Sequence, residues 1–209
     1  WDNVLRVTFC SLMIGANWYL YIWANQHGHT IDSSLGYYIC PLFNVALGMI
    51  VLKERLNGWQ LLSLFVAMFG VLIQVFQLGK VPWIALAIAI TFSIYSLAKK
   101  VLQMDSLTSL SVETLIMLPI ALIYLAGLEF QGADAFYIHS PLMFLLLLAS
   151  GILTVFPLLW YAEGTKRVPL SMMGFLQYLS PTISLCLGIF VFQETFSIYH
   201  FISFLFIWV

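Results

Sequence analysis

"PLFNVALG", Pro41–Gly48, decides how this 209-residue chain is read. It lies inside an apolar stretch, yet it opens on a proline and closes on a glycine, the two residues least suited to a helix interior. One amide, Asn44, stands between them. The phrase has an echo in the same frame, "PTISLCLG", Pro181–Gly188. With a shift of 140, Tyr38 falls on Tyr178, Pro41 on Pro181, Leu47 on Leu187, Gly48 on Gly188, Val51 on Val191 and Glu54 on Glu194. Those are six identities across residues 38–54 without a gap. Apolar helices share leucines by chance, but they rarely share Pro, Gly and Glu at fixed spacing.

The surroundings of the phrase set its solvent. The chain is 62% hydrophobic and only 8% charged, with a mean hydropathy of +0.99, whereas a soluble domain carries roughly 25% charged residues. Seven windows are long and apolar enough to cross a bilayer, about Val4–Asn25, Ser34–Leu52, Gly58–Gln77, Val81–Ala98, Leu107–Leu128, Leu142–Ala162 and Leu170–Phe192. An eighth begins near Phe196 and runs to Val209. Lipid offers no partner to exposed backbone groups, so these windows are expected to be helices. Runs such as "MFLLLLASGILTVF" lack the period of two that a barrel strand needs. The chain begins on Trp1 and stops within an apolar run, so a fragment of a longer membrane protein is expected.

The repeat and the windows together predict a topology. The two copies of the phrase lie five helices apart, and an odd number of crossings reverses direction. The expectation is therefore an inverted repeat, the architecture of transporters that hold their site at the repeat interface. Basic residues set the orientation. With the first helix running outward, Arg6, Lys53, Arg55, Lys99, Lys100, Lys166 and Arg167 fall inside and only Lys80 outside. His27, His29, His139, His200, Asp32, Glu129, Asp134 and Glu194 then fall outside.

On a helix, Tyr37, Pro41, Asn44 and Gly48 form one stripe, and Gln177, Pro181, Ser184 and Gly188 form its image. Pro41 and Pro181 bend their helices and free a carbonyl one turn earlier. Gly48 and Gly188 allow close backbone approach. Either the two stripes are kinked packing seams or they line a permeation path. "GANWYLYIWAN" adds Asn17, Trp18 and Tyr21, which serve equally as cavity wall or as helix packing. Glu113 is the one acid well inside a window, and intramembrane acids are functional candidates by default. Pairing near Lys99 and Lys100 competes there with proton coupling. Glu54 and Glu194, at opposite surfaces, are expected to act as caps or gate partners rather than to touch cargo. Glu163, Lys166 and Arg167 form an expected inner-surface cluster.

The same residues carry a family resemblance. "SLGYYICPLFNVALGMIVLKERL", "VPLSMMGFLQYLSPTISLCLGIFVFQE", "NWYLYIWANQHGH" and "ETLIMLPIALIYL" resemble the RarD-type permeases of the EamA family, within the drug/metabolite transporter superfamily. The resemblance covers essentially the whole chain. It implies an all-α integral membrane fold of ten helices, an inverted repeat of two five-helix halves. This chain would supply about helices 3–10, the last incomplete. Residues 1–77 would be the last three helices of the first EamA repeat, and residues 78–209 the second repeat. The resemblance further implies a multi-pass protein of the bacterial inner membrane, with export favoured over uptake. The family tends to have Asn before the first proline, where this chain has Cys40.

Other functions find little support. Net charge is −1, which gives no electrostatic case for nucleic acid. Cys10, Cys40 and Cys186 lie singly in apolar runs, so neither a disulfide nor a zinc site is expected. His27 and His29 lack a third ligand nearby. No Ser-His-Asp set, HExxH or phosphate loop is present, and no cofactor is expected. The leading expectation is a secondary transporter of a small organic metabolite or drug, working by alternating access. Its candidate cavity residues are Asn17, Trp18, Tyr21, Tyr37, Asn44, Tyr95, Gln177, Tyr178 and Ser184. The cavity is expected to be lined by the first, second and seventh windows. The expected partners are an unknown small molecule and the bilayer, with a homodimer left open. The alternative is a membrane-embedded enzyme or assembly factor acting on lipid-linked substrates, which would converge His and acid residues at one face.

Overall fold

The structure, a computed structural model, describes residues 2–131, 140–180, 182, 183 and 206. Within them the chain forms α1 (Asp2–Gln26), α2 (Thr30–Ile50), α3 (Gly58–Leu78), α4 (Trp83–Val101), α5 (Ser106–Phe130), α6 (Pro141–Arg167) and α7 (Leu170–Gln177), and no strand. The first six hold membrane-length apolar segments of 19 to 27 residues, which at about 1.5 Å per residue reach roughly 28–40 Å. The first six apolar windows of the sequence each have their helix, with ends displaced by a few residues. The seventh window is described only as far as α7 and the residues just after it. Asp134, His139, Pro181, Ser184, Cys186, Gly188, Glu194, His200 and nearly all of the eighth window lie outside the described residues.

Local chemistry sets the helix ends. Asn57 and Gln60 close a reciprocal capping box at the start of α3, and Gly79 ends that helix at φ 67, where glycine is unstrained. The Asp105 carboxylate accepts from Leu107 N and Thr108 N to start α5. Ser140 caps α6 and Pro141 occupies its first turn, where a missing N–H costs nothing. The ends of α4 and α6 carry Lys99, Lys100, Lys166 and Arg167, cations against the negative end of the helix dipole.

Helix α4 is the hub. It packs on α1, α2 and α6, while α2 also packs on α7 and α1 on α5. One core joins Leu35, Ile39 and Cys40 of α2 to Val71, Ala85 and Ala89. Another joins Val7, Cys10 and Ile14 of α1 to Tyr95 and Leu102. Outward faces stay apolar: Leu145, Leu146, Ile152, Leu153 and Phe156 of α6 and Leu115, Leu118 and Ile123 of α5 are all exposed. In water such a surface would drive association; against lipid tails it is matched.

Charge collects at the two ends of the bundle. At one end Arg6 Nη1 donates to Val101 O at 3.3 Å, and Lys100 Nζ donates to Thr165 O at 3.0 Å and Val168 O at 2.6 Å. There too Lys166 Nζ donates to Met104 O, and Arg167 pairs with Glu163 at 2.6 Å. At the other, Asp32 takes His29 at 3.0 Å and Lys80 at 3.6 Å.

Candidate functional site

The Pro41–Gly48 phrase packs against α7. Helices α2 and α7 run antiparallel, with Glu54 beside Leu170 and Ser171, Pro41 and Val45 beside Gly174, and Asn44 beside Gln177. Both glycines at this seam sit directly against the partner element, Gly174 against the α2 backbone itself. A Cβ on Gly174 would sit 2.8 Å from Pro41 O and 2.9 Å from Val45 Cγ2. A Cβ on Gly48 would sit 2.7 Å from Glu54 Oε2 and 3.1 Å from Ser171 N. At these two points the helices are in direct contact. The second and seventh windows were expected to line the cavity; in the described residues they pack directly on each other at Gly48 and Gly174, and the rest of the seventh window lies outside the described residues.

What fills the seam is a polar network. Asn44 Nδ2 donates to Gln177 Oε1 at 2.5 Å, and Gln177 Nε2 donates to Tyr161 OH at 3.1 Å. Tyr161 OH and Ser96 Oγ are 2.7 Å apart, and Ser96 Oγ also reaches Phe92 O at 2.9 Å. Ser93 Oγ donates to Cys40 O at 3.3 Å. Four helices, α2, α4, α6 and α7, meet here. Asn44 is fully buried, yet its Oδ1 has no hydrogen-bond partner. An unmatched acceptor in a dry site holds a standing preference for a donor.

The described cavity lies elsewhere. About 420 Å³ opens among α1, α4, α5 and α6, lined among others by Trp18, Tyr95, Glu113, Met117, Thr154 and Leu158. That volume falls in the range of small-molecule sites. Its wall is aromatic and apolar, with one carboxylate. Glu113 is 2% exposed, and Lys99, from α4, is fully buried beside it. Lys99 Nζ lies 2.7 Å from Glu113 Oε1 and 2.5 Å from Ser109 Oγ. Ser109 Oγ donates to the same Oε1 at 2.9 Å. Glu113 Oε2 has the Tyr95 hydroxyl at 3.4 Å, and so is the less satisfied oxygen at the cavity edge. A buried pair of this kind is weak support for stability, because desolvation offsets the Coulomb gain. An ionisable pair buried within membrane-length helices is a candidate site.

The sequence candidates therefore separate. Trp18, Tyr95 and Glu113 share the cavity wall, and Asn44 and Gln177 share the network. Tyr21 and Tyr37 form an edge-on pair, centroids 5.5 Å apart. Asn17 is an interhelical tie, donating to Ile88 O at 2.8 Å and Thr91 Oγ1 at 3.0 Å. Tyr178 is buried toward α3, against Ala67, Tyr38 and Leu42. Sequence reasoning did not place Ser96, Tyr161, Ser109 or Thr154. One signal was available for Tyr161: it neighbours the exposed Trp160, and successive helix residues face about 100° apart.

Glu54 caps the start of α7 from 116 residues away. Its Oε1 accepts from Leu170 N at 2.7 Å, and its Oε2 accepts from Ser171 N at 2.9 Å and Ser171 Oγ at 2.7 Å. Burial works to raise its pKa. The hydrogen bonds from Ser171 and Leu170, with Lys100 nearby, outweigh that and hold the carboxyl below its usual value. Among the described residues no group of three or more His, Cys, Asp or Glu could hold a metal ion.

The comparisons with known proteins agree with this architecture. The model of the EamA-like transporter family matches residues 1–76 and 80–209. The chain is 44% identical, over 99% of its length, to 68% of the "Uncharacterized transporter YojE" of Bacillus subtilis. It is 41% identical, over 95% of its length, to 66% of an "Uncharacterized transporter" of Vibrio cholerae. It is 37% identical, over 99% of its length, to 70% of "Protein RarD" of Salmonella typhimurium. The chain thus spans about two thirds of the length of these relatives. A family match along almost the entire sequence, borne on a bundle with six membrane-length helices among the described residues, establishes the kinship: the chain belongs to the EamA-like transporter family, as a multi-pass membrane protein.

Proposed function

We propose that the full-length protein is a secondary transporter that moves a small organic metabolite or drug by alternating access between two inverted repeats. The fold would have ten helices, with α1–α3 (residues 1–77) closing the first repeat and residues 78–209 forming the second. The observation that carries this reading is the pairing of α2 with α7. Their first residues, Thr30 and Leu170, are 140 apart, the same shift that aligns the two sequence phrases. They pack antiparallel, as repeat-related helices of opposite direction would. The relatives' names, as transporters and RarD proteins, point the same way.

The cargo site in this reading is the cavity walled by Trp18, Tyr95 and Glu113, next to the Asn44–Gln177 network. The family context favours the bacterial inner membrane and export, and a homodimer is compatible with the exposed apolar faces. Glu113 is the candidate coupling group. Protonating it would leave the Lys99 ammonium buried without a counter-ion, so any proton step must be joined to a second charge movement. The test is reconstitution of the full-length protein in proteoliposomes under a proton gradient, screened against amino acids, metabolites and drugs. Saturable gradient-driven flux of at least one class, lost or pH-insensitive in Glu113→Gln, is expected. Absence of flux for every class would overturn the reading.

A further inference from the structure

We propose that the Glu54 carboxylate and the first turn of α7 form the gate that closes the permeation path at the lysine- and arginine-rich end of the bundle. This inference rests on the alternating-access reading above. Glu54 stands in the turn after α2, and its three partners belong to Leu170 and Ser171 at the start of α7. The contact therefore ties residues 1–77 to residues 78–209, the two parts that must separate at one face at a time. Lys100, which donates to Thr165 O and Val168 O, fastens the α6–α7 connection from within the second part, so it moves with α7 and leaves Glu54 as the catch. A second polar tie between the parts at this end, Arg6 to Val101 O, is exposed and 3.3 Å long.

Three features suit Glu54 to a contact made and broken repeatedly. First, it lies half-buried at the end of the bundle, so water replaces its partners when the helices part, which the dry Lys99–Glu113 pair does not allow. Second, Gly48 presents no side chain, and this gives the carboxylate its seat: a Cβ there would lie 2.7 Å from Oε2. Third, the lever is right. Asn44 and Gln177 touch seven residues along α7 from Leu170, about 10 Å away at 1.5 Å per residue. A tilt of about 20° about that contact moves the start of α7 by about 3 Å, beyond hydrogen-bonding range. The gate opens without breaking the central network.

The test reads opening directly and needs no cargo. Full-length protein with its native cysteines replaced carries a single Val45→Cys, a position 1% exposed between gate and network. In nanodiscs, the rate of modification by a small charged thiol reagent is compared among Glu54, Glu54→Gln and Gly48→Ala. Modification at least about tenfold faster is expected in both variants, the change expected when charge-assisted hydrogen bonds are weakened. A Ser33→Cys reporter at the opposite end of α2 should react no faster. Spin labels at the exposed Arg55 and Arg167 give an independent readout, in which a longer distance population should grow. Unchanged rates and distances, or equal acceleration at Val45 and Ser33, would overturn the gate, the latter because it signifies general loosening. If the gate responds as expected but flux is absent, the transporter reading fails and the hinge motion stands. If flux is present and the gate does not respond, only the gate is lost.

Discussion

The Lys99–Glu113 pair yields the most quantitative prediction. Nζ and Oε1 lie 2.7 Å apart, with side chains 0% and 3% exposed. Removing one partner strands a full charge in a dry site. Lys99→Met leaves the Glu113 carboxylate with Ser109 and a 3.4 Å contact from Tyr95. Glu113→Gln leaves the ammonium with Ser109 and the Tyr95 ring, whose centroid is 5.8 Å away. Breaking a buried pair in this way costs about 3–5 kcal/mol. Replacing both together removes the desolvation cost along with the attraction, so Lys99→Met/Glu113→Gln should lie within about 1–2 kcal/mol of the parent. The assay is a double-mutant cycle on the full-length protein in lipid, following the unfolding midpoint by tryptophan fluorescence. These figures imply a coupling of about 4 kcal/mol or more. Additive losses would refute the reasoning, since they would mean the two charges are solvated separately.

Three further outcomes follow from the α2–α7 seam. Asn44→Ala leaves Gln177 Oε1 without its 2.5 Å donor and should cost about 0.6 kcal/mol, the average for interhelical bonds in membranes, and at most about 1.7, seen as a lowered thermal midpoint. Gly174→Ala drives a methyl to 2.8 Å from Pro41 O and should destabilise by about 1–3 kcal/mol, whereas Gly127→Ala, with open space around it, should be neutral in the same melt. Because the folded protein holds Glu54 below its usual value, that carboxylate contributes stability which is fully present above the unfolded value near 4.5 and is lost as pH falls through the folded one. Acid titration of the melting point should therefore drop less steeply in Glu54→Gln than in the parent.

Much of the fold was legible because the bilayer simplifies the code. A run of about 20 apolar residues has one solution in lipid, so the first six windows match their helices to within a few residues. The Pro/Gly phrase pointed to the seam for a sound reason: Gly48 and Asn44 do face a partner helix. What the sequence concealed was which helix faces which. Glu54 and Leu170 are 116 positions apart, and nothing in the periodicity of either segment names the other. The location of the cavity was hidden for a related reason. Polar residues on a stripe suit a wall and a tightly tied interface equally, and the difference lies in Gly174, whose missing side chain lets α7 close on α2. The Lys99–Glu113 contact, by contrast, was legible: pairing of Glu113 near Lys99 and Lys100 was one of its two expected roles, and the two side chains meet at 2.7 Å.

Alternating access requires that a cargo site open to each side of the membrane in turn. Counterflow in proteoliposomes tests this most directly, with full-length protein and a compound from the class that shows flux. Liposomes are loaded with excess unlabelled compound, and a trace of labelled compound is added outside with no ion gradient. A transient accumulation of label above its equilibrium level is expected. It should vanish when the double variant Glu54→Cys/Ser171→Cys is bridged by a short bifunctional thiol reagent, which ties α2 to α7 where their side chains already meet. Simple equilibration without overshoot, or chemical conversion of the labelled compound, would contradict alternating access.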